Sequence, residues 1–439
     1  MSVETLTLLM LGAIALLLAI GVPLAFVTGI VAVGFGYALF GDGALGLIAS
    51  RIYSFMNAYV LVAVPMFILM AAILERSGVA RDLFKAMHVF SGSLRGGLAV
   101  QTLGVAVIMA AMTGIIGGEI VLLGLVALPQ MLNLKYDRNL AIGTICAGGS
   151  LGTMIPPSIV LIFYGLTANV AIGDLFVATI VPGLLLAGLY LLYILARCAI
   201  SPELGPPASA AERSLPLAEK LRLLKAVALP LFVAAMVLGT IYAGIASVSE
   251  AAGMGVVGVI ISAWVRGELN WSMLRDALRQ TTVTCGTLLW ITFGATALIG
   301  IYNVVGGMAF VKSLITDLPL PPLSIVLVMM LILIVLGMFM DWVGILLLTM
   351  PIFVPIVTHL GMDPVWFGIL FCMSMQVSYL SPPFGPAAFY LKGVAPPDIT
   401  LQQIFGAFWP FIFLQLVGLA IVLFFPPVAL WLPSVLGAG

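Results

Sequence analysis

Apolar positions in this chain fall in long unbroken runs, not in the alternation of half-buried strands or the spaced stripe of a surface helix. Residues 5–40 form one such run. It is too long for a single crossing at about 1.5 Å per residue through a hydrocarbon core of about 30 Å. The Gly21-Val22-Pro23 break divides it into two spans. Further runs cover 59–74, 97–129, 139–168, 174–196, 224–247, 250–265, 281–304, 321–358, 364–391 and 401–431. Lipid offers the backbone no hydrogen-bond partner, so these runs read as helices, and their continuity excludes an outer-membrane barrel. The predicted class is an all-α polytopic membrane protein.

Charge then sets the topology. With the N-terminus outside, and with 97–129 and 321–358 each turning back to the side they start from, the cytoplasmic segments hold fifteen of the 17 Lys and Arg. Only Arg51 and Lys312 fall outside. This positive-inside bias is lost if either long run crosses once. The reading is therefore two re-entrant hairpins and ten crossings, five per half, with both termini outside.

The chain also repeats itself. At an offset of 226 residues, Gly118 falls on Gly344, Pro129 on Pro355, Asp137 on Asp363 and Cys146 on Cys372. The same offset places Pro156-Pro157 on Pro382-Pro383 and Phe163-Tyr164 on Phe389-Tyr390. An odd number of crossings per half turns the second copy upside down, the inverted repeat of secondary transporters. The first repeat spans 1–200: scaffold helices 5–74, an amphipathic cytoplasmic segment 76–95, hairpin 97–129, broken helix 139–168 and helix 174–196. A polar, Pro/Ala/Ser-rich linker at 201–223 leads to the second repeat at 224–431. That repeat holds scaffold helices 224–304, hairpin 321–358, broken helix 364–391 and helix 401–431.

Composition agrees with this architecture. Charged residues make up 8% and apolar ones 63%, against roughly 25% charged in soluble domains. Net charge is zero and no basic run is present, which gives no sign of nucleic-acid binding. The start, MSVETLTLLM, has Glu4 and no basic residue ahead of its apolar run, so it reads as a retained first span. Cys146, Cys198, Cys285 and Cys372 form no CxxC pair and read as packing residues. Gly253-Met254-Gly255-Val256-Val257-Gly258 matches GxGxxG inside a span, where helix packing is the reading. His88 and His359 lack the spacing of a metal site. With no Walker motif, an ion gradient is the expected energy source. An intramembrane enzyme would need a nucleophile–base pair or a metal triad, and neither is apparent.

Chemistry concentrates at two places. The first hairpin turns at Thr113-Gly114-Ile115-Ile116-Gly117-Gly118-Glu119, and the next span breaks around Ser150, Gly152, Thr153, Pro156, Pro157 and Ser158. In the second half the tip lies between Gly337 and Gly344, and the break runs from Ser378 through Ser381, Pro382 and Pro383 to Gly385 and Pro386. Adjacent prolines remove backbone donors and force the preceding residue out of the helical region. The freed carbonyls suit a desolvated Na⁺, and helix N-termini at the same places suit an anion. Glu119 and Asp341 are intramembrane acids at the two tips and are functional candidates. Glu250, after Ser247, reads as a helix N-terminal cap.

GTMIPPSIVLIFYG, MDWVG and SYLSPPFGPAAFYLKGVAPP closely resemble the pattern of the DctM-like large membrane subunit of tripartite ATP-independent periplasmic (TRAP) transporters, over essentially the whole chain. The resemblance implies an elevator-type transporter in the bacterial inner membrane, in which hairpins and broken spans slide against the other helices. It implies Na⁺-coupled uptake of an organic acid, a carboxylate or sulfonate. It also implies two partners, a small four-helix DctQ-like membrane subunit and a periplasmic DctP-like binding protein. By position it assigns Na⁺ to Thr113, Gly114, Gly117, Gly152, Thr153, Gly337, Asp341, Ser378 and Ser381. It assigns substrate to Ser150, Thr153, Pro156, Pro157, Ser158, Pro382, Pro383 and Gly385. Ile115-Ile116 stand where that family has small polar residues, which favours backbone carbonyls as ligands at the first tip. The alternative within transport is a stand-alone Na⁺/dicarboxylate elevator symporter.

Overall fold

A computed structural model describes residues 2–79, 82–84, 94–207, 217–316 and 319–436. The described residues form helices and short turns, with no strand. The first half contains α1 (Val3–Ala19), α2 (Leu24–Phe40), α3 (Gly43–Met56), α4 (Ala63–Arg76), α5 (Gly97–Thr113), α6 (Gly118–Asn133), α7 (Arg138–Ser150), α8 (Ile159–Ala168) and α9 (Ile172–Ile200). The second contains α10 (Leu217–Tyr242), α11 (Val248–Val265), α12 (Trp271–Val304), α13 (Gly307–Thr316), α14 (Pro322–Gly337), α15 (Trp342–His359), α16 (Pro364–Leu380), α17 (Pro386–Lys392), α18 (Leu401–Phe424) and α19 (Pro427–Leu436).

Shifted by 226 residues, α5 to α9 fall on α14 to α18 element for element. Earlier in the chain, α2 falls on α11, and α3 with α4 falls on the single long helix α12. Among the described residues, six helices are long and apolar enough to cross a membrane, and several more apolar helices fall just short at 16 or 17 residues. One of the six is α15, an arm of the second hairpin. The hairpin reading there rests on the short turn at 338–341 rather than on length.

Packing exchanges partners between the halves. Helix α2 lies against α12, where the Phe26 and Trp290 rings meet edge-on at 5.8 Å, while α4 lies against α11. Likewise α7 packs on α18 and α16 on α9. The α8–α16 contact is pinned by the Tyr164 hydroxyl, which donates to the Pro364 carbonyl at 2.6 Å. The GxGxxG stretch packs helix on helix, with Gly255 against Met70 and Val237 and Gly258 against Val233.

The expected elements differ from the observed ones in a few places. The amphipathic helix α3 was not anticipated, because Asp42, Arg51 and Asn57 interrupt the apolar pattern and only Ala44 and Ile48 are buried. Helix α12 begins at Trp271 rather than 281, capped by the Asn270 side chain accepting from the Met273 N–H at 2.8 Å. Its first turns carry charge, including an exposed Arg275–Asp276 pair at 3.8 Å. Helix α10 begins at Leu217, inside the predicted linker, of which 208–216 lie outside the described residues. Most of segment 76–95, with His88, also lies outside them. Glu250 is a cap: it forms a capping box with Ser247. All four cysteines are free thiols, three of them buried.

Candidate functional site

Asp137 and its repeat mate Asp363 start the two inward-running helices. Asp137 accepts from the Leu140 N–H at 2.9 Å and Asp363 from the Val365 N–H at 2.6 Å. Helices α7 and α16 then run buried until they stop. A 3₁₀ turn, Leu151–Thr153, follows α7, and Ser381 is extended after α16. That is what a following proline demands of the residue before it. Both Pro-Pro bonds, 156–157 and 382–383, are cis.

Each hairpin tip is seated on the break of its own repeat. The Ile159 N–H donates to the Gly114 carbonyl at 3.3 Å, and the Phe384 N–H donates to the Met338 carbonyl at 3.3 Å. Gly114 has a positive φ of 67° and faces the Pro157 carbonyl, so a side chain fails there for two reasons. At Gly337 the place of a Cβ is taken by the Ser378 hydroxyl.

The hydroxyls around the breaks donate inward. Ser150 donates to the Ala147 carbonyl (2.8 Å), Thr153 to Ser150 (3.2 Å) and Ser158 to Thr153 (2.6 Å). Ser378 donates to Ser374 (3.0 Å) and Ser381 to Val377 (2.7 Å). With their single protons committed to main-chain carbonyls, these oxygens retain acceptor capacity only, which suits a cation. Thr113 donates to Met109 and to the fully buried Glu119 carboxylate. Asp341 caps α15, accepting from the Val343 N–H at 3.4 Å.

Two hollows border these groups. A small one, about 10 Å³, is lined by Gly337, Asp341 and Ser378 with Met340, Tyr379 and Phe384 among its walls. That is the volume of one water molecule or one small ion. The larger, about 780 Å³, is bordered by both tips and by α4 and α12, which close on one another where Glu75 reaches Gly118. On the tip side lie Ile115, Ile116, Gly117, Asp341, Trp342, Pro386 and Tyr390. On the opposite side lie Glu75, Arg76, Gln280, Thr284 and Thr287.

Of the predicted positions, Gly337, Asp341 and Ser378 therefore converge on one hollow, and Gly117 and Asp341 reach the other. Thr113, Gly114, Gly152, Thr153 and Ser158 gather where the first tip meets its break. Ser150, Ser158, Pro156, Pro157, Pro382, Pro383 and Gly385 line neither hollow. Sequence reasoning missed Glu75, Gln280 and Gln376. Gln280 follows Arg279 in a charged stretch, Glu75 adjoins Arg76 at a span end, and Gln376 is a single polar residue in an apolar run. Tyr390 entered only as a marker of the repeat.

The sequence profile of a family described as the tripartite ATP-independent periplasmic transporter, DctM component, matches residues 11–428. The chain belongs to this family. It is a multi-pass transport permease and not an enzyme. Among DctM relatives, the C4-dicarboxylate TRAP transporter large permease protein DctM of Pseudomonas aeruginosa is 31% identical over 403 residues, covering 91% of this chain and 92% of that one. The isethionate TRAP transporter permease protein DctMQ of Oleidesulfovibrio alaskensis is 28% identical, covering 96% of this chain and 65% of that protein. In fold, this DctM chain is similar to the Alcanivorax borkumensis YdaH transporter, with a TM-score of 0.64 over 98% of both chains at 17% identity.

Proposed function

We propose that the chain is the large permease subunit of a TRAP transporter of the bacterial inner membrane, and that it takes up an organic acid with Na⁺ by an elevator motion. The observation that carries this reading is the 780 Å³ hollow between both hairpin tips and the helices opposite. A load held there lies between a body of two hairpins and two broken spans and a frame of the remaining helices. The partner exchange of α2, α4, α11 and α12 is what a twofold relation between inverted repeats produces, with the hairpins re-entering from opposite sides.

The residues fit Na⁺ as a coupling ion. The hollow at Gly337, Asp341 and Ser378 is ion-sized and has a carboxylate beside it, and the nearby hydroxyls act as acceptors. Oxygen ligands of this kind suit hard cations. For the acid itself, Gln280, Thr284, Thr287 and Tyr390 offer donors around apolar walls, and Arg76 supplies positive charge at the rim. The names of the relatives support a carboxylate or a sulfonate. The DctMQ name, on a protein of which this chain covers 65%, supports a separate small DctQ-like partner here. A periplasmic DctP-like binding protein completes the assembly.

The test is uptake of radiolabelled succinate and isethionate into proteoliposomes holding this chain, the small subunit and the binding protein under an imposed Na⁺ gradient. Uptake should need all three proteins and Na⁺. Full uptake without the binding protein refutes the tripartite reading. Unchanged Na⁺-driven uptake in both Ser381→Ala and Gly152→Ala refutes the ion assignment.

A further inference from the structure

Glu75 and Glu119 come from different parts of the fold, and Glu75 reaches the first hairpin beside Gly118, the residue before Glu119. Glu75 stands at the end of α4, on the wall of the large hollow, and Glu119 lies in the first turn of α6. The approach is close at Gly118, where a β-carbon would stand in the place now taken by the Glu75 carboxylate. The point where a Gly152 side chain would begin lies 2.7 Å from Glu119 Oε1 and 3.0 Å from the Ile115 carbonyl oxygen.

Each carboxylate is half satisfied. Glu119 accepts from the Thr113 hydroxyl through Oε1, and its Oε2 is buried with no hydrogen-bond partner among the described residues. Glu75 accepts from Gln280 Nε2 through Oε2 at 3.4 Å, and its Oε1 is buried with no partner among the described residues. One oxygen of each acid is thus held by a neutral donor while the other is desolvated and unmatched. Buried oxygens in this condition are costly, and two acids together compound the cost by mutual repulsion. The N-terminus of α6, whose Gly117 cap has no side chain to spend on it, offers only partial positive charge. Neighbouring Arg76 gives a guanidinium N–H to the Ala72 carbonyl at 2.9 Å.

We propose that Glu75 Oε1 and Glu119 Oε2 bind a monovalent metal cation, Na⁺ in the first instance, at the seam between α4 and the first hairpin. This site is additional to those at the two breaks. Two carboxylate oxygens are a hard-cation donor pair, and the Ile115 carbonyl oxygen stands on the Gly152 side of Glu119, with its Oε1. One ligand belongs to the frame and the other to the hairpin, so the site is complete only while the hairpin is docked on α4. The ion therefore holds the body at one end of its stroke. That consequence rests on the elevator reading; the ion site itself does not.

Equilibrium binding of ²²Na⁺ to the purified full-length chain in lipid nanodiscs tests the proposal, with N-methylglucamine keeping ionic strength constant. Glu75→Gln and Glu119→Gln keep shape and should each remove one bound Na⁺ per chain or weaken it by roughly tenfold or more. The double variant should lose no more than either single one, because the two acids share one ion. Melting curves check folding, and Glu75→Asp, which keeps the charge but shortens the reach, should lie between wild type and Glu75→Gln. Wild-type counts and affinities in both Gln variants overturn the site, as do additive losses in the double variant. Absence of saturable Na⁺ binding in the wild type overturns the sodium reading as a whole, so the two failures are distinguishable.

Discussion

Gln376 and Ser150 occupy the same position in the two repeats, 226 residues apart, and they touch. The Gln376 Nε2 donates to the Ser150 carbonyl at 3.0 Å and to the Thr153 hydroxyl at 2.7 Å. This contact joins the two halves of the chain beside the first break. It also ties the second inward-running helix to the first break. Replacing Gln376 with Leu should cost about 1–3 kcal/mol, the usual penalty for stranding a buried polar partner. Thermal melts of the solubilised protein measure the cost, and Na⁺-driven uptake should fall with it. An unchanged melting temperature counts against the join.

Gly337 and Ser378 give a test of close approach. Gly337→Ala places a methyl group on the Ser378 side chain and should destabilise the protein by about 1–3 kcal/mol, as overpacking usually does. Ser378→Gly removes the obstructing atoms. In a double-mutant cycle the pair should regain most of the lost stability, whereas additive losses place the strain elsewhere.

Asp341 both caps α15 and borders the ion-sized hollow. Asn caps as well as Asp but carries no charge. Asp341→Asn should leave the melting temperature nearly unchanged while raising the Na⁺ concentration for half-maximal uptake by roughly tenfold or more. A matching loss of stability, with the Na⁺ dependence unmoved, identifies the carboxylate as a cap alone.

Ser247 and Glu250 form a capping box at the start of α11, away from either hollow, with Glu250 accepting from the Ser247 N–H at 2.8 Å. Ser247→Ala should cost about 0.5–2 kcal/mol of stability. Uptake rates at permissive temperature should match wild type. A transport defect there assigns the cap a part in the moving interface.

Much of the frame is legible in the chain itself. Both breaks and both tips are marked by proline, glycine and charge, residues whose backbone or solvation demands act locally. The cap at Glu250 and the packing glycines of α11 belong to the same class. Helix α3 and the early start of α12 were obscured because both carry charge among apolar residues, so the run-length signal fails where a helix is amphipathic or extends past the apolar zone.

The broken segments around Pro156-Pro157 and Pro382-Pro383 were thus determined by sequence: proline has no N–H to give and glycine has no Cβ to place, wherever the chain goes. Which groups confront one another across those breaks was decided by the tertiary structure alone. Glu75 lies 44 positions before Glu119, and Gln376 lies 226 after Ser150. A single acid at a span end and one amide in an apolar run carry no local signal. Their meaning comes from burial without a partner, and burial depends on helices brought together from distant parts of the chain.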